Sequence, residues 1–117
     1  MNPTFDIYSG DTGDLRTNGD YWVFRWNNPN CHILFSATRQ GKAATCHFTS
    51  DKAGLRKLKQ AINDWCEFCF WLFDWCEMII GIIEKISILK LAKSCGFEHI
   101  ISFGKKHICI RRKSWVV

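Results

Sequence analysis

The hydrophobic pattern of the chain changes its period near residue 51, and this change limits the fold more than any other feature. Over residues 43–49 the side chains of Ala44, Cys46 and Phe48 alternate with polar ones, which is the pattern of a β-strand with two unlike faces. After residue 53 apolar side chains recur every three or four positions, which places them on one side of a helix. They are Leu55, Leu58, Ile62, Trp65, Cys69 and Leu72. The sequence therefore predicts a strand over 43–49 and a long helix over about 53–73, with Ser50 or Asp51 as its cap.

Strand-like segments also lie on both sides of this pair. Upstream, β-branched and aromatic residues alternate and are separated by Gly, Asp, Asn and Pro, which predicts an antiparallel meander. Downstream, the continuous apolar run over 78–83 predicts a strand covered on both faces and parallel to strand 43–49. Ser87 and Gly96 are expected to cap a short helix over about 88–95. The remaining predicted strands span 4–8, 21–26, 31–38, 97–102 and 107–112.

These segments predict one α/β (α+β) domain over residues 1–117, in the order β-β-β-β-α-β-α-β-β. The sheet is expected to be mixed and mostly antiparallel, flanked by one long and one short helix. Hydrophobic residues make up 47% of the chain, which is enough for a packed core and excludes a disordered chain.

The cysteine content indicates the cellular compartment of the protein, and the charge distribution indicates the kind of partner it binds. The seven cysteines are an odd number in mostly apolar segments, and the N-terminus lacks the pattern of a signal peptide, so we predict a cytoplasmic protein. The net charge is +5, and residues 85–117 carry eight Lys or Arg against Glu98 alone. A basic end favours an anionic partner or a solubilising surface.

A membrane span over 65–83 is not expected. This segment of 19 residues is largely apolar, but Glu67, Asp74 and Glu77 interrupt it. A charge near the middle of a bilayer costs about 2.5–3.5 kcal/mol on insertion scales.

Residues 78–97, with the sequence MIIGIIEKISILKLAKSCGF, carry a resemblance to a known family. This segment resembles the strand, turn, helix and closing Gly-Phe of the GNAT (acyl-CoA N-acetyltransferase) superfamily. Strand 43–49 and the following SDKAGLRK at 50–57 resemble the strand and pyrophosphate loop that hold coenzyme A. Small phage-encoded members have a similar Trp-rich helix, which would place the protein in the cytoplasm of a host cell.

The resemblance implies acetyl-CoA as cofactor and an amine as acceptor. The implied coenzyme-binding residues are those of the strand end and the loop: Phe48, Thr49, Lys52, Gly54, Leu55, Arg56 and Lys57. A diphosphate prefers backbone N–H groups and cations at a helix N-terminus, and Gly54 would allow close approach. The sequence departs from the family pattern, because Asp51 and Arg56 stand where the loop usually has Gln or Arg and a small residue.

The candidates for proton transfer lie on strand 43–49, at the end of strand 78–83 and in the short helix. His47 on the strand lining the cleft and Glu84 at the end of strand 78–83 are candidate bases. Ala92 stands where the family often has a Tyr that protonates the departing thiolate, so the proton would come from Ser94, Cys95 or water. The usual acceptor-site helices are also absent between the first two strands, so that side is expected to be open or completed by a second subunit.

Two alternatives to an active acetyltransferase remain open. A catalytically silent GNAT-like protein, such as a viral accessory or structural factor, would bind a protein partner. A nucleic-acid-binding protein would use Arg111, Arg112 and Lys113 on phosphates, with Trp115 stacking on bases. The Cys66/Cys69 pair fits a redox or zinc site poorly, because it lies inside the predicted helix and no second such pair exists. No metal site is predicted.

Overall fold

The computed structural model describes residues 4–17 and 19–113, and the element order within them is the predicted one. The strands are β1 (Phe5–Ile7), β2 (Trp22–Trp26), β3 (Ile33–Gln40), β4 (Ala43–Ser50), β5 (Met78–Ile83), β6 (Glu98–Phe103) and β7 (Lys106–Arg112). The helices are α1 (Leu58–Leu72) and α2 (Ile86–Ser94). A short 3₁₀ helix, Ala53–Lys57, leads into α1.

The strands form one sheet in the order β1-β2-β3-β4-β5-β7-β6. β4 and β5 pair in parallel, from Ala43 opposite Met78 to Cys46 opposite Gly81, and the other neighbouring strands are antiparallel. The predicted mixed, mostly antiparallel sheet is therefore confirmed, including the parallel pair joined through α1.

The long helix has the predicted extent but a tighter first turn. Gly54 and Leu55 donate their N–H groups three residues back, to the carbonyls of Asp51 and Lys52 at 3.2 and 3.4 Å. Gly54 is buried against β3, where a Cβ atom would lie 2.7 Å from Cγ1 of Ile33 and would also meet Oγ of Ser50. The glycine thus lets this turn pack directly on the sheet.

The short helix begins earlier than predicted, and Ser87 as its N-cap is wrong. Lys85 is extended, with φ −87° and ψ 129°, and is the residue that precedes the helix. Its carbonyl accepts the N–H groups of Ile88 and Leu89 at 3.1 and 3.0 Å. The predicted stop at Gly96 is confirmed, because its φ is +88° and the following Phe97 donates its N–H to the carbonyl of Ala92 at 3.1 Å.

Both helices pack on the same face of the sheet. Trp65 of α1 stacks on Phe35 of β3 with ring centroids 4.9 Å apart, and Phe5 meets the edge of the same indole at 5.3 Å. Leu89 and Ala92 of α2 pack with Cys109 of β7, which the strand registers place on the face of Phe35. The main core is therefore a single aromatic layer between α1 and the first four strands.

Strand β5 is less covered than its composition predicts. Only Ile79 of its six residues is buried, and Ile82 is 37% exposed. The expectation of full cover on both faces is wrong because both helices lie on one side. No helix in the described part of the chain is long and apolar enough to cross a membrane.

Trp65 should dominate the stability of the core. Trp65→Ala removes a side chain that is 2% exposed, so we expect a loss of about 3–5 kcal/mol in the free energy of unfolding. Trp71, on the same helix, is 54% exposed, and Trp71→Ala should cost less than about 1 kcal/mol. Urea unfolding of the three proteins measures both values. Equal losses in the two variants would contradict this core assignment.

Candidate functional site

Strands β4 and β5 pair along only part of their length and then separate. Their pairing ends at Cys46 and Gly81, although β4 continues to Ser50 and β5 to Ile83. Beyond that point β4 remains paired with β3, and β5 remains paired with β7. The sheet is therefore split in its middle, and each arm of the split presents a strand edge whose backbone groups can pair with an extended ligand.

A cleft of about 520 Å³ opens at this split, a volume typical of small-molecule sites. The wall on the helix side is apolar, and the charged residues belong to the loop before β2, the end of β5 and the last hairpin. Apolar lining residues include Phe35, Phe48, Ile62, Trp65, Ile79, Ile83, Ile88, Ala92 and Phe97. Charged lining residues are Asp14, Arg16, Glu84, Lys85 and Lys106.

His47 is the titratable group of the β4 wall. It is half-buried, and Oη of Tyr21 lies 3.4 Å from its Nε2. Burial, and next the positive charge of Arg16, hold the pKa of His47 below its usual 6.5. The imidazole is therefore neutral near pH 7 and able to accept a proton.

Tyr21 and Arg16 are residues that sequence reasoning missed. Arg16 lies in the loop at 9–20, whose composition carries no periodicity from which a position could be read. Tyr21 precedes β2, and it reaches His47 only because the β2–β3–β4 meander sets their strands two apart in the sheet. The sequence did not give the exact turn lengths of that meander, so the contact between Tyr21 and His47 could not be predicted.

The structure brings three of the predicted site residues to the cleft. His47 and Phe48 line it from β4, and Glu84 lines it immediately after β5. Thr49 is the next residue of β4 and is half-buried, but it is outside the cleft lining. Ser94 is exposed and donates its hydroxyl to the carbonyl of Leu91 at 2.6 Å, and it too lies outside the lining.

The predicted pyrophosphate loop follows the open end of β4. Lys52, Leu55, Arg56 and Lys57 are all exposed there. Oδ1 of Asp51 accepts the N–H of Gly54 at 2.8 Å, although the residue that precedes the 3₁₀ helix is Lys52, whose side chain makes no capping bond. The Asp51 carboxylate adds a negative charge and occupies the N–H of Gly54, the amide that we expected to face a phosphate. The positive charge of the loop therefore comes from its Lys and Arg side chains. The role of these residues toward a diphosphate stays a prediction.

Ala92 lines the cleft at the position where the family often has Tyr. Cys95 is buried, its Sγ lies 3.7 Å from the carbonyl oxygen of Lys59, and burial raises the pKa of its thiol. Among the described residues, the cleft lining thus has His47 as a candidate base and Cys46 as its thiol, and it has no tyrosine.

The cysteine pair is buried, and two arginines of the basic end have partners within the chain. Cys66 and Cys69 are free and buried, and burial raises the pKa of Cys66 to about 12, so neither is a reactive thiolate. Arg111 donates to Oδ1 of Asn63 at 3.2 Å, and Arg112 forms an ion pair with Glu98 at 3.2 Å. Ser114 and Trp115 lie outside the described residues.

Comparison with known proteins detects the fold through structure and not through sequence. No protein-family model and no curated protein sequence matches the chain. A mutant of spermidine N-acetyltransferase SpeG from Vibrio cholerae aligns with a TM-score of 0.66 at 14% identity, over 81% of this chain and 67% of that one. N-acetyltransferase PseH from Campylobacter jejuni, in complex with acetyl coenzyme A, aligns with a TM-score of 0.66 at 12% identity, over 83% and 71%.

A third solved structure extends the comparison to another acceptor. Aminoglycoside acetyltransferase AAC(6')-Ib in complex with coenzyme A aligns with a TM-score of 0.61 at 8% identity, over 80% of this chain and 67% of that one. Two of these acetyltransferases are named for different acceptors, spermidine and aminoglycosides, and what all three share with this chain at such low identity is the architecture. The chain has the GNAT fold, as the sequence of residues 78–97 predicted.

Proposed function

We propose that the chain is an acyl-CoA-dependent N-acetyltransferase that transfers an acetyl group to an amine in the cleft between β4 and β5. The observation that carries this proposal is the split of the sheet beside a neutral, half-buried His47. Solved proteins of the same fold are named as acetyltransferases, and PseH is described in complex with acetyl coenzyme A. The seven free thiols suit action in a reducing compartment such as the cytoplasm.

The residues of the cleft fit an acyl-CoA. The exposed edge of β4 beyond Cys46 offers backbone groups to an extended, amide-containing chain. Trp65 lines the cleft with its ring, while its Nε1 is buried without a hydrogen-bond partner among the described residues. Lys52, Arg56 and Lys57 would place positive charge near the diphosphate.

The protein supplies positioning and a proton acceptor. When bound, acetyl-CoA supplies a thioester carbonyl that an uncharged amine can attack. We assign His47 the removal of the proton from the amine nitrogen, with Tyr21 holding the imidazole and Arg16 favouring its neutral form. Glu84, at the mouth of the cleft, would orient the amine or a water. The thiolate that leaves would take its proton from water, or from Ser94 once its hydroxyl releases the carbonyl of Leu91.

The acceptor side of the cleft is formed by a short segment. Asp14, Leu15 and Arg16 line it from the loop before β2, and Leu15 is buried, which anchors this loop on the sheet. An acceptor would enter between this loop and Glu84, or a second copy of the chain would complete the wall.

A second candidate function is a catalytically silent protein of the same fold that binds a protein partner. Ala92 at the tyrosine position favours it, as do Trp71 and Leu72, which are 54% and 41% exposed near the end of α1. The basic C-terminal end gives less support to nucleic-acid binding, because Arg111 and Arg112 are paired with Asn63 and Glu98.

Binding of acetyl-CoA tests the proposal directly. Ligand at about 100 times its Kd should stabilise the protein by about 2.7 kcal/mol, which raises the Tm by several degrees, on the order of 4 °C or more. Ile88→Trp should reduce this shift, because Ile88 is half-buried and lines the cleft. Ile86→Trp is the matched control on the same helix, since Ile86 is 54% exposed and lies outside the cleft lining.

Three outcomes of that thermal-unfolding experiment are informative. A shift that Ile88→Trp removes and Ile86→Trp keeps supports the cleft. A shift that both variants keep places the ligand elsewhere. No shift at millimolar acetyl-CoA excludes the enzyme and favours the silent protein, whose partner a cross-linking experiment would then seek.

The pH profile tests the role of His47. If its neutral form is the base, kcat/KM should rise with pH through a pKa below 6.5 and be level above neutrality. Arg16→Gln removes a charge that lowers this pKa, so the acidic limb should move to higher pH. His47→Gln should lower kcat by roughly 10²–10⁴-fold. His32→Gln, which alters a histidine packed on Tyr8, should leave the profile unchanged, and an unaltered profile in Arg16→Gln would contradict the assignment.

A further inference from the structure

The last hairpin, β6–β7, contains a cluster of two histidines and a serine that the proposed acetyl transfer does not use. Nε2 of His99 lies 2.8 Å from Oγ of Ser102, and the same Oγ lies 2.7 Å from Nδ1 of His107. The two imidazole rings are 5.5 Å apart at 76°. Two ring nitrogens from different strands therefore converge on one hydroxyl oxygen.

A β-bulge creates this convergence. His99 and Ser102 are three residues apart, so a regular strand would point them to opposite faces of the sheet. The register shifts between His99 and Ile101, and as a result His99 pairs with Cys109 while Ser102 pairs with His107. Cys109 and His107 share a face of β7, so His99 and Ser102 share it too. Bulges at sheet edges commonly re-aim a side chain, and this one brings His99 to His107.

The chemistry of the cluster suits a transition-metal ion. An imidazole nitrogen is a ligand for Cu²⁺, Ni²⁺ and Zn²⁺, and each histidine can move its proton to the other ring nitrogen without a change of charge. His99 and Ser102 are exposed and His107 is half-buried, so the rings can close on an ion at about 2.0–2.1 Å and water can complete its coordination. Neighbouring Lys105 and Lys106 oppose Ca²⁺ or Mg²⁺, which need anionic oxygen ligands.

No group of three or more His, Cys, Asp or Glu suited to a metal ion occurs in residues 4–17 and 19–113. Glu98, the nearest carboxylate along β6, pairs with Ile110 on the opposite face and is bound to Arg112. The cluster therefore offers two strong ligands, the nitrogens of His99 and His107. Structural metal sites have four ligands, so an ion bound here would exchange readily with solvent.

We propose that His99 Nε2 and His107 Nδ1, aligned by the bulge at Ile100 and bridged by Ser102, form a binding site for one divalent transition-metal ion of the Cu²⁺, Ni²⁺ and Zn²⁺ class. This site does not depend on the proposed acetyltransferase activity.

Calorimetric titration of the reduced protein with Ni²⁺ tests the site. We expect one ion per chain, with affinity reduced roughly tenfold or more in His99→Asn and in His107→Asn, the size of loss that metal sites show when their supporting contacts are removed. His32→Asn is the matched control and should bind like the parent. Ser102→Ala should change affinity by less than about tenfold, because the hydroxyl is the weaker ligand.

Thermal unfolding of each variant without metal shows that it is folded, and NMR provides a second readout. Paramagnetic Ni²⁺ should first broaden the amide signals of the β6–β7 hairpin. The proposal is overturned if the parent shows no saturable binding, or if both histidine variants bind as well as the parent. It is equally overturned if the broadening centres on Cys46 or His47, since the ion would then occupy the cleft.

Discussion

The four-residue parallel pairing of β4 and β5 is the constraint on which the rest of the structure depends. Parallel neighbours cannot be joined by a tight turn, so the chain between them must cross a face of the sheet, and α1 is that crossing. The pairing stops at Cys46 and Gly81, and Trp65 of α1 lies below the split, stacked on Phe35. Trp65 therefore packs in the core and also lines the cleft. The stability of the fold and the shape of the candidate site depend on the same side chain.

Because both helices lie on one face of the sheet, the opposite face is left largely uncovered. α1 and α2 together bury the aromatic layer and Cys109, while the loop before β2 contributes Leu15 to the opposite side. Isoleucines of β5 and β6 consequently remain exposed, with Ile82 at 37% and Ile101 at 47%. A small domain can tolerate scattered exposure of this kind, and the open face leaves the cleft accessible beside His47.

Local patterns in the sequence predicted the strands and helices because each pattern reflects the backbone geometry of its own segment. Alternation over 43–49, the three-and-four spacing from Leu55 to Leu72 and the stop at Gly96 each report a local geometry, and the structure has all three. The start of α2 was missed because Lys85, and not Ser87, provides the first carbonyl that accepts N–H groups of the helix. Gly54 shows what a local pattern cannot distinguish. A glycine before a helix suits either phosphate binding or close packing, and only the position of Ile33 in the structure favours close packing.

The candidate site was predictable in part, and its composition argues for a particular division of chemical work. His47 and Glu84 follow from strand position, whereas Tyr21 and Arg16 depend on strand order and on a loop without periodicity. Ala92 removes the usual acid from the cleft, and burial raises the pKa of the nearby Cys95. A thiolate is a stable leaving group near neutral pH, since an unperturbed thiol has a pKa of about 8.5, whereas an ammonium cannot attack a thioester until it loses a proton. For the proposed acetyl transfer, a cleft that has His47 and lacks the tyrosine would keep the proton transfer that attack by the amine requires.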